Sequence, residues 1–160
     1  MALALPTDSG HRRAQSRMQR ALEVAATTPA GDVPVGAVIF DASGRELAHG
    51  VNRREELGDP TAHAEVEAIR HAVQVHGDGW RLTGCEIVVT LEPCAMCAGA
   101  IQAARLDSVV FGAFEPKTGA CGSCIDVLRT NGAPFTPQVR GGILEQEAAS
   151  QLVAFFHSLR

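Results

Sequence analysis

The run His63-Ala64-Glu65, followed at a distance by Pro93-Cys94-Ala95-Met96-Cys97, constrains this chain more than any other feature. One imidazole and two thiols are ligands that zinc takes, one short of the four that close a structural site. A water fits the missing position. The carboxylate of Glu65, two residues from the histidine, is placed to move protons to and from that water. Two thiolates cancel the charge of Zn²⁺, so such a metal acidifies its water less than an all-histidine site does. That makes the carboxylate necessary.

Taken singly, the halves say little. A lone C-x-x-C can be a redox pair or a chance spacing, and a lone histidine early in an amphipathic stretch is more often packed or solvated. Glu65 and Pro93 link them, because proline suits the mouth of a helix, where its missing N–H costs nothing. On a helix beginning after Pro93, Cys94 and Cys97 share one face of the first turn. A helix N-terminus stabilises thiolates there. Asp59-Pro60 reads as an N-cap followed by proline at the first helical position, which puts His63 and Glu65 early in another helix. Residues two apart do not share a helix face, so His63 is expected to bind from the helix entrance while Glu65 reaches round. H-x-E…P-C-x-x-C is an established signature of zinc-dependent nucleobase deaminases, and all five of its residue types stand here in order.

The rest of the chain sets bounds. A length of 160 residues fits a single domain, 1–160, with a real core. Hydrophobic content of 46% and charged content of 20% are those of an ordinary soluble globular protein. No apolar run approaches the length of a membrane span. The start, Met1-Ala2-Leu3-Ala4-Leu5, lacks a basic leader and stops at Pro6, so no secretory signal is expected. Five cysteines, two of them in the metal motif, point to a reducing cytoplasm and not to a disulfide framework. A net charge of −4 argues against a generally basic nucleic-acid coat, while leaving room for a local basic patch.

Hydrophobic periodicity predicts a helix over 9–27, strands over 35–40 and 45–51 joined by the turn 41–44, and a loop over 52–58. It continues with a helix over 60–76, a buried strand over 85–91, a helix from Pro93 to about Arg105 and a strand over 107–111. A short helix near 123–129, a weak strand at Val139 and a closing helix over 145–159 complete the pattern. A hairpin followed by alternating helix and strand describes an α/β fold, a mixed sheet with helices on both faces.

In Val33-Pro34-Val35-Gly36-Ala37-Val38, Asp59-Pro60-Thr61-Ala62-His63-Ala64-Glu65, Thr90-Leu91-Glu92-Pro93-Cys94-Ala95-Met96-Cys97-Ala98-Gly99-Ala100 and Lys117-Thr118-Gly119-Ala120, the chain resembles the bacterial tRNA-specific adenosine deaminases. The likeness runs from about Val33 to the C-terminus. It implies the three-layer α/β/α cytidine deaminase-like fold with a five-stranded mixed sheet. It also implies conversion of adenosine to inosine at the wobble position of a tRNA anticodon, with an arginine tRNA the expected substrate. A further implication is a homodimer with active sites near the subunit interface, and the motif itself is expected to hold one zinc per chain. By the same resemblance, His63, Cys94 and Cys97 match the zinc ligands and Glu65 the proton shuttle. Asn52 matches a base-contacting asparagine, although as a lone residue it reads as an ordinary turn asparagine. Pro34 and Val35 match positions lining the pocket.

The chain also departs from the family pattern. Phe114 and Glu115 stand where a basic residue and Asp or Asn are common, and Phe155-Phe156 leads to His157, Ser158, Leu159 and Arg160 without a basic cluster. RNA affinity is then expected to rest on a limited patch, with Arg53 and Arg54 the nearest clustered cations. Cys121 and Cys124 have metal-like spacing, but with Cys85 they make only three leftover thiols, and packing as small hydrophobes is the expectation. Two rival functions share the motif. A small-molecule deaminase acting on guanine, cytosine or a pterin uses every zinc residue. A non-catalytic zinc-stabilised module needs a fourth protein ligand and gives Glu65 no role.

Overall fold

The computed structural model describes residues 6–160. The leader reading for residues 1–5 lies outside them. The elements are α1 (Pro6–Ala25), β1 (Gly36–Phe40), β2 (Glu46–Val51), α2 (Arg54–Leu57), α3 (Ala64–His76), β3 (Glu86–Leu91), α4 (Ala95–Ala103), β4 (Ser108–Ala113), β5 (Gln138–Arg140) and α5 (Glu145–Ser158). They build one five-stranded sheet in the order β2-β1-β3-β4-β5. β1 is antiparallel to both β2 and β3, whereas β3, β4 and β5 run parallel. The sheet is mixed, as the sequence pattern predicts.

Alternation along the central strands divides the core into two halves. Ile39, Ile87, Val89, Val109 and Phe111 pack with Ala64, Ala68, Ala98 and Ile101 of α3 and α4. Val38, Val88 and Val110 face the other way, against Met18 and Leu22 of α1 and Ala148 of α5. Each fully buried aliphatic side chain of this kind contributes about 1.5–3 kcal/mol. The three layers α1+α5, sheet, and α3+α4 therefore follow from strands that are apolar on both faces. Among the described residues no helix is long and apolar enough to cross a membrane.

One contact sets the site. A Cβ on Gly50 would fall 2.5 Å from the Ala64 carbonyl oxygen and 2.6 Å from the Ala68 nitrogen. Glycine on β2 thus lets the first turns of α3 lie directly on the strand. That docking fixes the helix entrance that carries His63.

Three expected elements differ. α3 begins at Ala64, four residues after Pro60, because the Asp59 carboxylate accepts hydrogen bonds from the Thr61 N–H and hydroxyl instead of opening a helix. The short helix near 123–129 does not form. Its backbone pairs within a loop, Gly122 N–H to Ile125 O and Val127 N–H to Ala120 O, and Gly122 adopts a φ of 127°. The expected loop over 52–58 holds the single turn α2, whose first amides are capped by buried Asp32.

Candidate metal centre and active site

The N-terminal ends of α3 and α4 converge beyond the C-terminal end of β3. His63 is the N-cap of α3 and Cys94 the N-cap of α4, both with extended backbone. The later start of α3 removes the difficulty of two residues on different helix faces. His63 projects from the cap and Glu65 from the first turn. His63 Nδ1 lies 3.6 Å from Cys94 Sγ and 3.5 Å from Cys97 Sγ. The donor atoms of these three residues all fall within 4.8 Å of one another, the one such His/Cys/Asp/Glu group among the described residues.

The donor set fits zinc. Zn–S near 2.3 Å and Zn–N near 2.0–2.1 Å at a tetrahedral angle give an S···N edge of about 3.6 Å, the separation found here. Two thiols with an imidazole also exclude a site built for magnesium or calcium, which take oxygen. The group has three members and does not include Glu65. A module held by four protein ligands is not what these residues make.

Electrostatics at the helix entrances agree. The hydrogen bond from Cys97 outweighs burial, and with His63 beside it Cys94 is held down at about 3. The same bond and deeper burial push Cys97 well above the ordinary thiol range. The hydrogen bond to Cys94 raises His63. These protons are the ones that a metal displaces on binding. Glu65 is 4% exposed, and burial, aided by the nearby Cys94 charge, pushes its carboxyl upward.

A cleft of about 260 Å³ opens in front of the trio. His63, Glu65 and Cys94 form one wall, with Val35 and Asn52 beside them. Val33 also lines it, whereas Pro34 between the two valines does not, as alternating side-chain direction along an extended approach to β1 dictates. The Asn52 amide donates to the Val33 carbonyl (3.0 Å), and its oxygen accepts from the Arg54 N–H (3.3 Å). One N–H and one lone pair are left for a ligand. Arg54 reaches the cleft, but Arg53 is tied to Glu56 at 2.6 Å. The expected cationic pair thus divides into one cation that faces the cleft and one held by a carboxylate.

Spacing alone did not indicate three contributors. Leu152 and Phe156 of α5 line the cleft from the far end of the chain, and buried Glu92 stands at its back. An acidic residue directly between an apolar strand and the cysteine motif is the one local sign of Glu92. Phe114 packs edge-on against Phe111 at 5.2 Å. Cys121 is buried and Cys124 exposed, so the two thiols do not share an environment.

The profile of the cytidine and deoxycytidylate deaminase zinc-binding region matches residues 11–113. A tRNA-specific adenosine deaminase of Bacillus subtilis is 43% identical over 81% of this chain and 80% of its own length. A tRNA(Ile)-lysidine synthase of Deinococcus radiodurans is 40% identical over 99% of this chain, which spans only 26% of that longer protein. A structure solved in a study of A-to-I editing by tRNA:A34 deaminases at the wobble position superposes with a TM-score of 0.78 at 42% identity, covering 84% of this chain and 97% of that one. With the trio, the buried carboxylate and the three-layer fold, these matches show that the chain belongs to the zinc-binding cytidine and deoxycytidylate deaminase family, in its tRNA-specific adenosine deaminase branch.

Proposed function

We propose that this enzyme hydrolytically deaminates adenosine to inosine at the wobble position of a tRNA anticodon, with one zinc held by His63, Cys94 and Cys97. The observation that carries the reading is the buried Glu65 carboxyl at the wall of a base-sized cleft, beside the three-donor group but outside it. Zinc, when bound, supplies Lewis-acid activation of a water near neutral pH. Glu65 does the proton work. Burial raises its pKa, which makes the carboxylate a stronger base for the proton of the attacking water. It then delivers that proton to ring N1 as the oxygen adds at C6. A second proton reaches the exocyclic amine, which leaves as ammonia, and the net change is adenine plus water to hypoxanthine plus ammonia. Asn52 offers its remaining N–H and lone pair to the base, and Val33 and Val35 give it an apolar wall.

A cleft of this size admits one base, which must be unpaired and turned out of its stack. An anticodon loop presents such a base and a duplex does not. The same reading makes residues 1–160 one deaminase domain, acting as a cytoplasmic homodimer on an arginine tRNA. It is tested with the zinc-loaded protein, an arginine tRNA anticodon stem-loop, and free guanine and cytosine. Inosine in the hairpin with no turnover of the free bases is the expected result. Rapid loss of a free base with no inosine assigns the small-molecule reaction instead.

A further inference from the structure

Glu92 follows β3 directly, precedes Pro93 and is 3% exposed. Four donors converge on it. Its Oε1 accepts the Cys121 N–H at 3.1 Å and the Ser123 N–H at 3.0 Å. Its Oε2 accepts the Glu115 N–H at 3.0 Å and, in a short contact, the Ser123 hydroxyl. A carboxylate has about four lone-pair sites, and all are taken by protein. Although Glu92 borders the cleft, it has no acceptor left for a substrate. It forms no ion pair among the described residues, so these charge-assisted bonds are what offset its burial.

All three amides belong to one loop, residues 115–123. The loop also zips along the motif backbone, with the Ala120 N–H donating to the Pro93 carbonyl at 2.8 Å and a β-bridge between Cys94 and Gly119. Gly119 is cut to fit the carboxylate, since a Cβ there would lie 2.6 Å from Glu92 Cδ and Oε2 and 2.4 Å from the Glu115 carbonyl oxygen. The loop carries Glu115 and Thr118 into the cleft wall and exposes Lys117 near its tip.

We propose that Glu92 is a positioning residue for the substrate: its carboxylate pins the 115–123 loop to the Cys94 segment and fixes the cleft wall that meets RNA beside the reacting base. The RNA part rests on the function proposed above; the pinning rests on the bonds alone. Cys94 meets the loop only through backbone, at its bridge to Gly119, while His63, Glu65 and Cys97 are carried by α3 and α4, so loosening this loop affects substrate binding more than the chemical step.

The test uses the full chain loaded with zinc. Glu92→Gln keeps shape and volume, but its amide group faces at least one backbone N–H, donor against donor. Zinc stays at one per chain. Hydrogen exchange of the 115, 121 and 123 amides accelerates by roughly tenfold or more. KM for the anticodon stem-loop rises by about tenfold, while kcat changes by less than about threefold. Ser123→Ala removes only the hydroxyl bond and moves both readouts the same way by less, which keeps the test open if Glu92→Gln folds poorly. Native exchange and native KM in Glu92→Gln overturn the proposal, as does a fall in kcat alone with exchange unchanged. Should the wild type convert no RNA, the function fails, yet the exchange rates still decide whether Glu92 holds the loop.

Discussion

His63 and His76 stand at opposite ends of α3 and each meets cysteine, yet only one end assembles a metal-binding group. At the N-terminal end His63 Nδ1 has two sulfurs within 3.6 Å, supplied by the first turn of a second helix. At the C-terminal end His76 meets the single thiol of Cys85, 3.7 Å from Nδ1, and its Nε2 sits 3.1 Å from the Thr83 carbonyl. Burial, with Asp41 and Asp107 nearby, pushes Cys85 up to about 11, whereas the hydrogen bond from Cys97 holds Cys94 down at about 3. The lesson is one of polarity. A helix N-terminus and an S–H donated by Cys97 favour a thiolate at Cys94, and burial among acids opposes one at Cys85. The same residue types thus give a donor centre at one end and a packed contact at the other.

The largest test of this contrast is metal content. Cys94→Ala or Cys97→Ala should lose both zinc and activity, while Cys85→Ala, Cys121→Ser and Cys124→Ser keep one zinc per chain by elemental analysis. Full zinc in a Cys94 variant, or loss in a Cys85 variant, would break the comparison. A second test reads the thiols after chelation. With a pKa of about 3, Cys94 is ionised at pH 6 and should be alkylated there, whereas Cys85 at about 11 stays protonated and inert until the solution is strongly alkaline. Site-resolved mass spectrometry after iodoacetamide at pH 6 checks this. Equal labelling of the two would mean that the helix entrances do not set the difference. The smallest effect concerns RNA. Arg54→Ala should flatten the salt dependence of tRNA binding by about one unit of slope, and Arg53→Ala, already paired with Glu56, by less. Equal slopes for both variants would dissolve the distinction drawn between them.

The two ends of α3 also differ in how well the sequence reveals them. The motif residues are legible because metal chemistry demands particular side chains at particular spacings. The sheet is legible because apolar runs of strand length have few other fates. The start of α3 is not, since Asp59-Pro60 has the composition of a helix entrance, and only the turn to Thr61 shows that the carboxylate is spent elsewhere. Leu152, Phe156 and Glu92 are hidden for another reason. Their roles depend on partners far along the chain, which periodicity within a window does not report. The missing helix near 123–129 is of the same kind, because the Gln102 side chain ties that region by donating to Val127, Leu128 and Phe135 carbonyls.

The central claim is that Glu65 moves protons beside a zinc that it does not bind. Zinc-edge X-ray absorption on the wild type and on Glu65→Ala, read together with inosine yield, tests it most directly. The expected result is the same two sulfurs and one imidazole nitrogen from the protein in both samples, with turnover reduced by at least ~10²–10⁴-fold in the variant. A carboxylate ligand present in the wild type and lost in Glu65→Ala, or near-normal inosine formation by the variant, would contradict it.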